Sequence, residues 1–474
     1  MTQKNFAPLR FLRPIASSLA LALLLSCGAE PADSKLQDQE LPEASAVDPY
    51  RELVLVHASI VEDQAYVSNQ DQANGRPGRW SFRYLMEEMA PRGTDPADFV
   101  LTWLQDYKAT QLNGFPLTRR PKIDAFIQNW PKRSDGKLDL RRAPFKLRAI
   151  VNRIDVSKNE NDLGEGRFVF AALDPSGKPL PFTVIFEYNL PILFKNFGPA
   201  ENRRLWAARF HAMAWDQVEV NGRWEQVQRP YGARFNAELA ATTDLFAKRG
   251  ANPEGVNGSS LSQLRSNEIA LGEPWSLREF RLQANGSLRM APTAQTPHAT
   301  FNNRHPNPND GSAFASRAGE LLNFLSSNVD RVKNLEHTIP PSMLAAESLE
   351  NFANTEWLKD PQSGAPLPIT GERSTDEQVR KGFALSTCNG CHNAEVEQIA
   401  GFYHISPFDE PTRTREGLER LSPFLRNEDI PRRAAFVQHL LCGGECAVPA
   451  EAISNPVQAK KFKKAQRPLK RRPH

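Results

Sequence analysis

Three β-prone runs, Phe145–Val156, Arg167–Leu173 and Phe182–Tyr188, follow one another across short polar connections. Such connections cannot hold a crossover helix, so the runs predict an antiparallel meander. Asn221-Gly222 and Asn285-Gly286 each sit between further β-prone stretches and predict hairpin turns, because both residues tolerate the left-handed backbone those turns need. Glu52–Val61 reads as another strand. Helical stripes surround this set. Asp95-Pro96 opens a helix carrying Phe99, Trp103 and Tyr107 on one face, and Ile123, Phe126, Ile127 and Trp130 mark a second. Arg203–Trp215 and a long amphipathic run, Phe314–Val332 with Ser312 as its cap, complete the set. The predicted class is α+β, a large mixed domain with a mainly antiparallel sheet.

The N-terminus has the pattern of an export signal over residues 1–26. Lys4, Arg10 and Arg13 precede an apolar core, Ile15–Leu25, that is too short to span a bilayer. The core ends in Leu24-Leu25-Ser26-Cys27-Gly28, which resembles the lipobox of bacterial lipoproteins. The resemblance implies acylation of Cys27 and a membrane anchor there. Gly28 in place of aspartate implies sorting to the outer membrane. An ordinary signal peptide with a cysteine at its cleavage site is the alternative. Residues 27–50, rich in Ala, Glu, Asp and Pro, read as a flexible tether. A cluster of proline and glycine between Pro361 and Gly371 marks a linker over 346–373, which separates a body (51–345) from a C-terminal unit (374–450). Residues 451–474 read as a basic, disordered tail.

The formal charge of +4 is misleading, because the signal's three cations and eight Lys and Arg from Lys460 onward leave the rest net negative. No nucleic-acid partner is expected of such a body.

Within the body, Asp155, Ser157, Asn159 and Asn161 alternate like the start of a calcium loop. Glu160 and Gly166 then stand where glycine and a bidentate glutamate are required, so a polar connection is the better reading. His211 lies in an aromatic-rich helix and reads as a packed histidine. Asp155, Glu165, Arg167 and Glu187 lie on or beside the meander strands; surface charge is their ordinary role, convergence the interesting one. No nucleophile elbow, zinc-protease motif or phosphate loop occurs. The body resembles the large extracytoplasmic regions of uncharacterised bacterial exported proteins, a likeness that brings no activity with it.

Ser386-Thr387-Cys388-Asn389-Gly390-Cys391-His392 contains Cys-x-x-Cys-His. On one helical turn two thiols reach the two vinyl groups of a haem while the adjacent imidazole reaches the iron. The run resembles the attachment site of c-type cytochromes, and a helix opened by the capping-box form Ser374–Glu377 leads into it. The resemblance implies a small all-α cytochrome c-like domain holding one covalent haem c on Cys388 and Cys391, with His392 as proximal ligand. The last methionine is Met343, upstream of the unit, so the opposite ligand is expected from His404, with His439, on a helix opened near Asp429-Ile430-Pro431, as the alternative, or the position stays open. After export, Cys442 and Cys446 are the pair left to form a disulfide across Gly443 and Gly444. A Cys388–Cys391 disulfide, or zinc held by the four cysteines, are the competing readings.

Two functions follow from different classes. One is a membrane-anchored electron carrier with a redox protein partner. The other is a non-haem surface or periplasmic binding or structural lipoprotein braced by disulfides. A haem peroxidase is less well matched, because di-haem peroxidases carry two attachment motifs and this chain has one.

Overall fold

The structure, a computed structural model, describes residues 46–157, 161–301, 317–345, 347–348, 357–360, 363–388, 392, 403–409, 414–442 and 469–470. The signal, Cys27, most of the tether, Ser312, Cys391, Cys446 and nearly all of the tail lie outside the described residues.

Seven strands form one sheet in sequence order: β1 Val54–Leu55, β2 Phe145–Arg153, β3 Glu165–Leu173, β4 Pro179–Asn189, β5 Leu261–Asn267, β6 Leu277–Leu282 and β7 Leu288–Ala291. Every neighbouring pair is antiparallel, and Glu347–Ser348 joins β6 in the same sense. The α+β class and the meander are therefore present. Both Asn-Gly dipeptides sit at hairpin turns, one within the separate ribbon Trp215–Gln228 and one between β6 and β7. Asn221 and Gly222 have φ of 53° and 77°, the left-handed values such a turn requires.

Side chains alternate between faces along each strand, and the two faces differ in kind. One carries Leu147, Ile150, Phe168, Phe170, Phe182, Val184, Phe186, Leu264 and Phe280, all buried in the main core. Helices Phe82–Met89, Pro96–Gln105 and Ile123–Asn129 cover it. Phe82 stacks on Phe145 at 4.1 Å, and Phe126, Trp130 and Phe182 crowd the same ring. Each such side chain contributes about 1.5–3 kcal/mol on full burial. Helix Ala233–Ala247 comes so close to β3 that a Cβ on Gly166 would meet the Phe246 ring at 2.3 Å, so only glycine fits there.

Several sequence expectations need correction. Glu52–Val61 is two short helices, Pro49–Glu52 and Ala58–Val61, around the two-residue β1. Pro49 at a first helical position, with the Asp48 carboxylate accepting from the amides of Tyr50 and Arg51, overrides the apolar pattern. The long run to Val332 is two helices, Ala318–Ser326 and Val329–Lys333. Ser374 does not cap its helix, which runs Arg373–Ala384; its hydroxyl donates to the Glu372 carboxylate instead. The helix near Asp429 runs Ile430–Leu441 and continues a wide turn over Leu425–Asp429. Of the tail, Leu469–Lys470 pair in parallel with Val156–Ser157.

The C-terminal residues share the body's cores. Trp357, Leu358 and Ile369 are buried with Phe301, Leu321, Val379 and Phe383, and the Arg380 guanidinium donates to the carbonyls of Trp357, Leu358 and Leu367. Leu421, Leu425, Ile430, Phe436 and Val437 belong to the core that holds Leu53–Val56. The described residues belong to one compact unit.

Candidate functional site

The second face of the sheet is buried yet highly charged. Register places side chains in rows across it: Arg153 with Glu165; then Val54, Val151, Arg167, Glu187 and Gln263; then Val169, Ile185, Arg265 and Glu279; then Thr183, Asn267 and Leu277. Asp155, Glu165, Arg167 and Glu187 thus do converge, but as buried ion pairs rather than surface charge. Arg167 Nε lies 2.9 Å from Glu165, and Glu187 stands 3.5 Å from both Arg167 and Arg265. Asp155 engages Arg153 at 2.8 Å and Arg432 at 2.6 Å, so its oxygens are already taken by guanidiniums and not by a calcium site.

A cavity of about 880 Å³, solvent at its mouth included, lies over the middle of this face. Its floor is Val54, Val151, Arg153, Arg167, Val169, Thr183, Ile185, Asn267 and Leu277. Its roof is His392, Tyr403, His404, Ile405, Phe424, Leu425, Asp429 and Arg433. Its lining mixes Val, Ile, Leu and Phe side chains with Arg153, Arg167, Asp429, Arg433 and two imidazoles.

The cysteine motif reaches the cavity along helix Arg373–Ala384. The Ser386 and Thr387 hydroxyls donate back to the carbonyls of Gly382 and Ala384 and continue its turn. The His392 amide donates to the Cys388 carbonyl at 3.0 Å, which ties the histidine to the end of this segment. Cys388 is a fully buried thiol packed with Trp275 and Leu277, and its amide donates to Thr296 Oγ1 at 3.3 Å. The His392 ring, buried, lies 5.5 Å from Trp275 and 4.6 Å from His404, centroid to centroid.

His404 is held from two sides. The Ser422 amide donates to the His404 carbonyl, and an antiparallel bridge joins Ile405 to Leu421. Its Nδ1 stands 3.2 Å from Ser422 Oγ, which also accepts from the Leu425 amide. A ring that donates Nδ1–H to that oxygen keeps Nε2 as an acceptor, the tautomer a metal ligand needs. Arg148, fully buried in β2, pairs with Asp409 at 2.7 Å and donates to the Pro407 carbonyl, fixing the same loop.

His439 is half-buried on helix Ile430–Leu441 and does not line the cavity. His211 is the packed histidine its surroundings predict; Nδ1 lies 3.1 Å and 3.2 Å from the two Glu52 oxygens, and Trp215 donates to the same carboxylate. Cys442 is disulfide-bonded. Among the described residues no group of three or more His, Cys, Asp or Glu could hold a metal ion, and no helix is long and apolar enough to cross a membrane.

One end of the cavity is a cluster of guanidiniums. Arg432 bridges Asp155 and Asp429, and Arg433 pairs with Asp429. Burial opposes ionisation of Asp429, but Arg433, Arg432 and Arg153 outweigh it and hold the carboxyl well below its usual range. Burial, and then the nearby Arg153, pull Arg433 down to about 10. Arg148, Arg153, Trp275, Ser422, Asp429 and Arg433 were not singled out from sequence. Arginines alternating with Val and Phe in β2 and β3 are the signal that could have found some of them.

No protein-family model, curated protein or solved structure matches the chain.

Proposed function

We propose that the chain is an exported, lipid-anchored c-type haem protein that carries electrons through one haem c. The observation that carries this reading is the pairing of His392 and His404 at a cavity, with the Cys388 carbonyl bonded to the His392 amide. The donor set suits the group. Cys388 and Cys391 would hold it covalently, His392 and His404 would ligate the iron, and the β1–β6 face with Phe424 and Ile405 would wall it from water. The haem supplies a one-electron couple, and two imidazoles give a lower potential than a histidine–methionine pair because a thioether favours ferrous iron.

The finer architecture proposed here differs from a free-standing cytochrome domain. The motif, the second ligand and the helix after it form the roof, and the large sheet forms the floor. A role for the body follows: it completes the cofactor pocket. The anchor at Cys27 would hold this unit at the outer membrane, within reach of a redox protein partner. The non-haem lipoprotein remains the alternative, and the disulfide-bonded Cys442 suits both readings.

The deciding experiment is production with a cytochrome c maturation system, followed by intact mass and absorbance. Covalent haem with a low-spin ferric spectrum lacking the methionine–iron band is expected. A colourless protein of unmodified mass eliminates the reading. Membrane release of Cys27→Ser, with loss of labelled fatty acid, tests the anchor separately.

A further inference from the structure

We infer that Arg433 is a carboxylate anchor inside the cavity, holding a propionate of the haem with help from the Tyr403 hydroxyl; this rests on the haem reading above. Arg433 is 5% exposed and lines the cavity. One of its nitrogens pairs with Asp429, while Nε and Nη1 are fully buried with no hydrogen-bond partner. The Tyr403 hydroxyl, lining the same cavity, is likewise buried and unpartnered. A buried guanidinium with two idle N–H positions is costly unless an acceptor arrives, since each unmade bond loses the full desolvation of the group.

Arg433 Nη2, whose N–H runs parallel to that of Nε, is on Asp429, so Nε and Nη1 point apart and each offers one charge-assisted bond to an acceptor oxygen in the cavity. A covalently bound haem would bring carboxylates of its own into the cavity.

The test uses full-length matured protein carrying Arg433→Met, Arg433→Lys or Tyr403→Phe, each checked for covalent haem by mass and for fold by circular dichroism. The propionate-bending band in the resonance Raman spectrum is expected to shift in Arg433→Met, to shift less in Arg433→Lys, and to move slightly in Tyr403→Phe. The low-spin spectrum should persist. Loss of the cation should also lower the potential, so that the ferrous-to-ferric ratio at a fixed solution potential falls about threefold or more. A merely structural arginine leaves the propionate band unmoved, whereas any cation beside the haem contributes to the potential. If the methionine variant does not fold, the other two decide. An unmoved band in every folded variant with haem attached overturns the anchor and leaves the haem reading standing. A shift that appears only on adding acetate assigns the site to a free carboxylate and overturns the propionate. A parent without covalent haem overturns both.

Discussion

The imidazoles of His392 and His404 lie 4.6 Å apart, tilted by 44°, over the charged face of an antiparallel sheet. Neither position is arbitrary. His392 is tied by its amide to the Cys388 carbonyl, and His404 by the bridge between residues 404–406 and 420–422. Two elements distant in topology therefore deliver one donor each to the same space, while His439 faces elsewhere.

That arrangement makes a sharp prediction for the iron. In matured protein His404→Ala should convert the ferric spectrum from low-spin to high-spin, with covalent attachment intact. His439→Ala should leave it low-spin. The reverse pattern would reassign the ligand to the helix Ile430–Leu441, and the cavity would then be the wrong site.

The guanidinium cluster predicts an unusually sensitive carboxylate. Asp429 engages Arg432 and Arg433 where both are largely buried. Asp429→Asn leaves those cations underpaired and should cost about 3 kcal/mol, the low end for breaking a buried pair because the amide oxygen still accepts one bond. Urea unfolding measures it. Glu377→Gln, in an exposed pair with Arg373, is the control and should leave the midpoint unchanged. Equal effects of the two substitutions would show that burial of the cluster is not what stabilises it.

Acid sensitivity follows from the same groups. Burial works against Asp155 and Asp429, yet their arginine neighbours hold both well below the ordinary carboxylate value. A depressed folded pKa contributes stability that is complete above the unfolded value of about 4 and is lost as pH falls below it. The melting temperature of the parent should fall steeply below about pH 4. Asp155→Asn should be less stable at pH 7, and its deficit should shrink as pH drops. A deficit that stays constant from pH 7 to pH 3 would mean that Asp155 is not ionised in the native protein.

What sequence reveals and what it hides divide along the distinction between local and distant information. The meander strands are found within a few residues, and both Asn-Gly turns are where they should be, because turn chemistry and period-two patterning are local. The cysteine motif is equally local. The buried charged face is not. Glu165, Arg167, Glu187 and Arg265 alternate with apolar residues just as an exposed sheet face would. They are covered by Ser386–Cys388, His392, Tyr403–Ile405 and Asp429–Arg433, which arrive from far along the chain. Nothing in β3 or β4 announces that cover. The short β1 was misread for the opposite reason, since Asp48 and Pro49 cap a helix turn inside an apolar run and local capping outweighs pattern.

The shared pocket also predicts that residues 374–474 cannot stand alone as a cytochrome. Cys388 packs on Trp275 and Leu277, and Leu421, Leu425, Ile430, Phe436 and Val437 bury themselves among residues of the body. Cut from the sheet, these side chains face water, and at about 1.5–3 kcal/mol apiece their exposure is comparable with the whole stability of an ordinary small domain. The isolated segment, passed through the maturation system, should acquire haem on its cysteines yet lack cooperative thermal unfolding and be digested rapidly by protease. In the full chain Val169→Asp or Ile185→Asp, each placing a carboxylate on the cavity floor, should loosen the haem environment and raise the high-spin fraction without preventing attachment. A segment 374–474 that unfolds cooperatively with the full chain's low-spin spectrum would show that the roof folds by itself and that the sheet is a neighbour rather than half of the site.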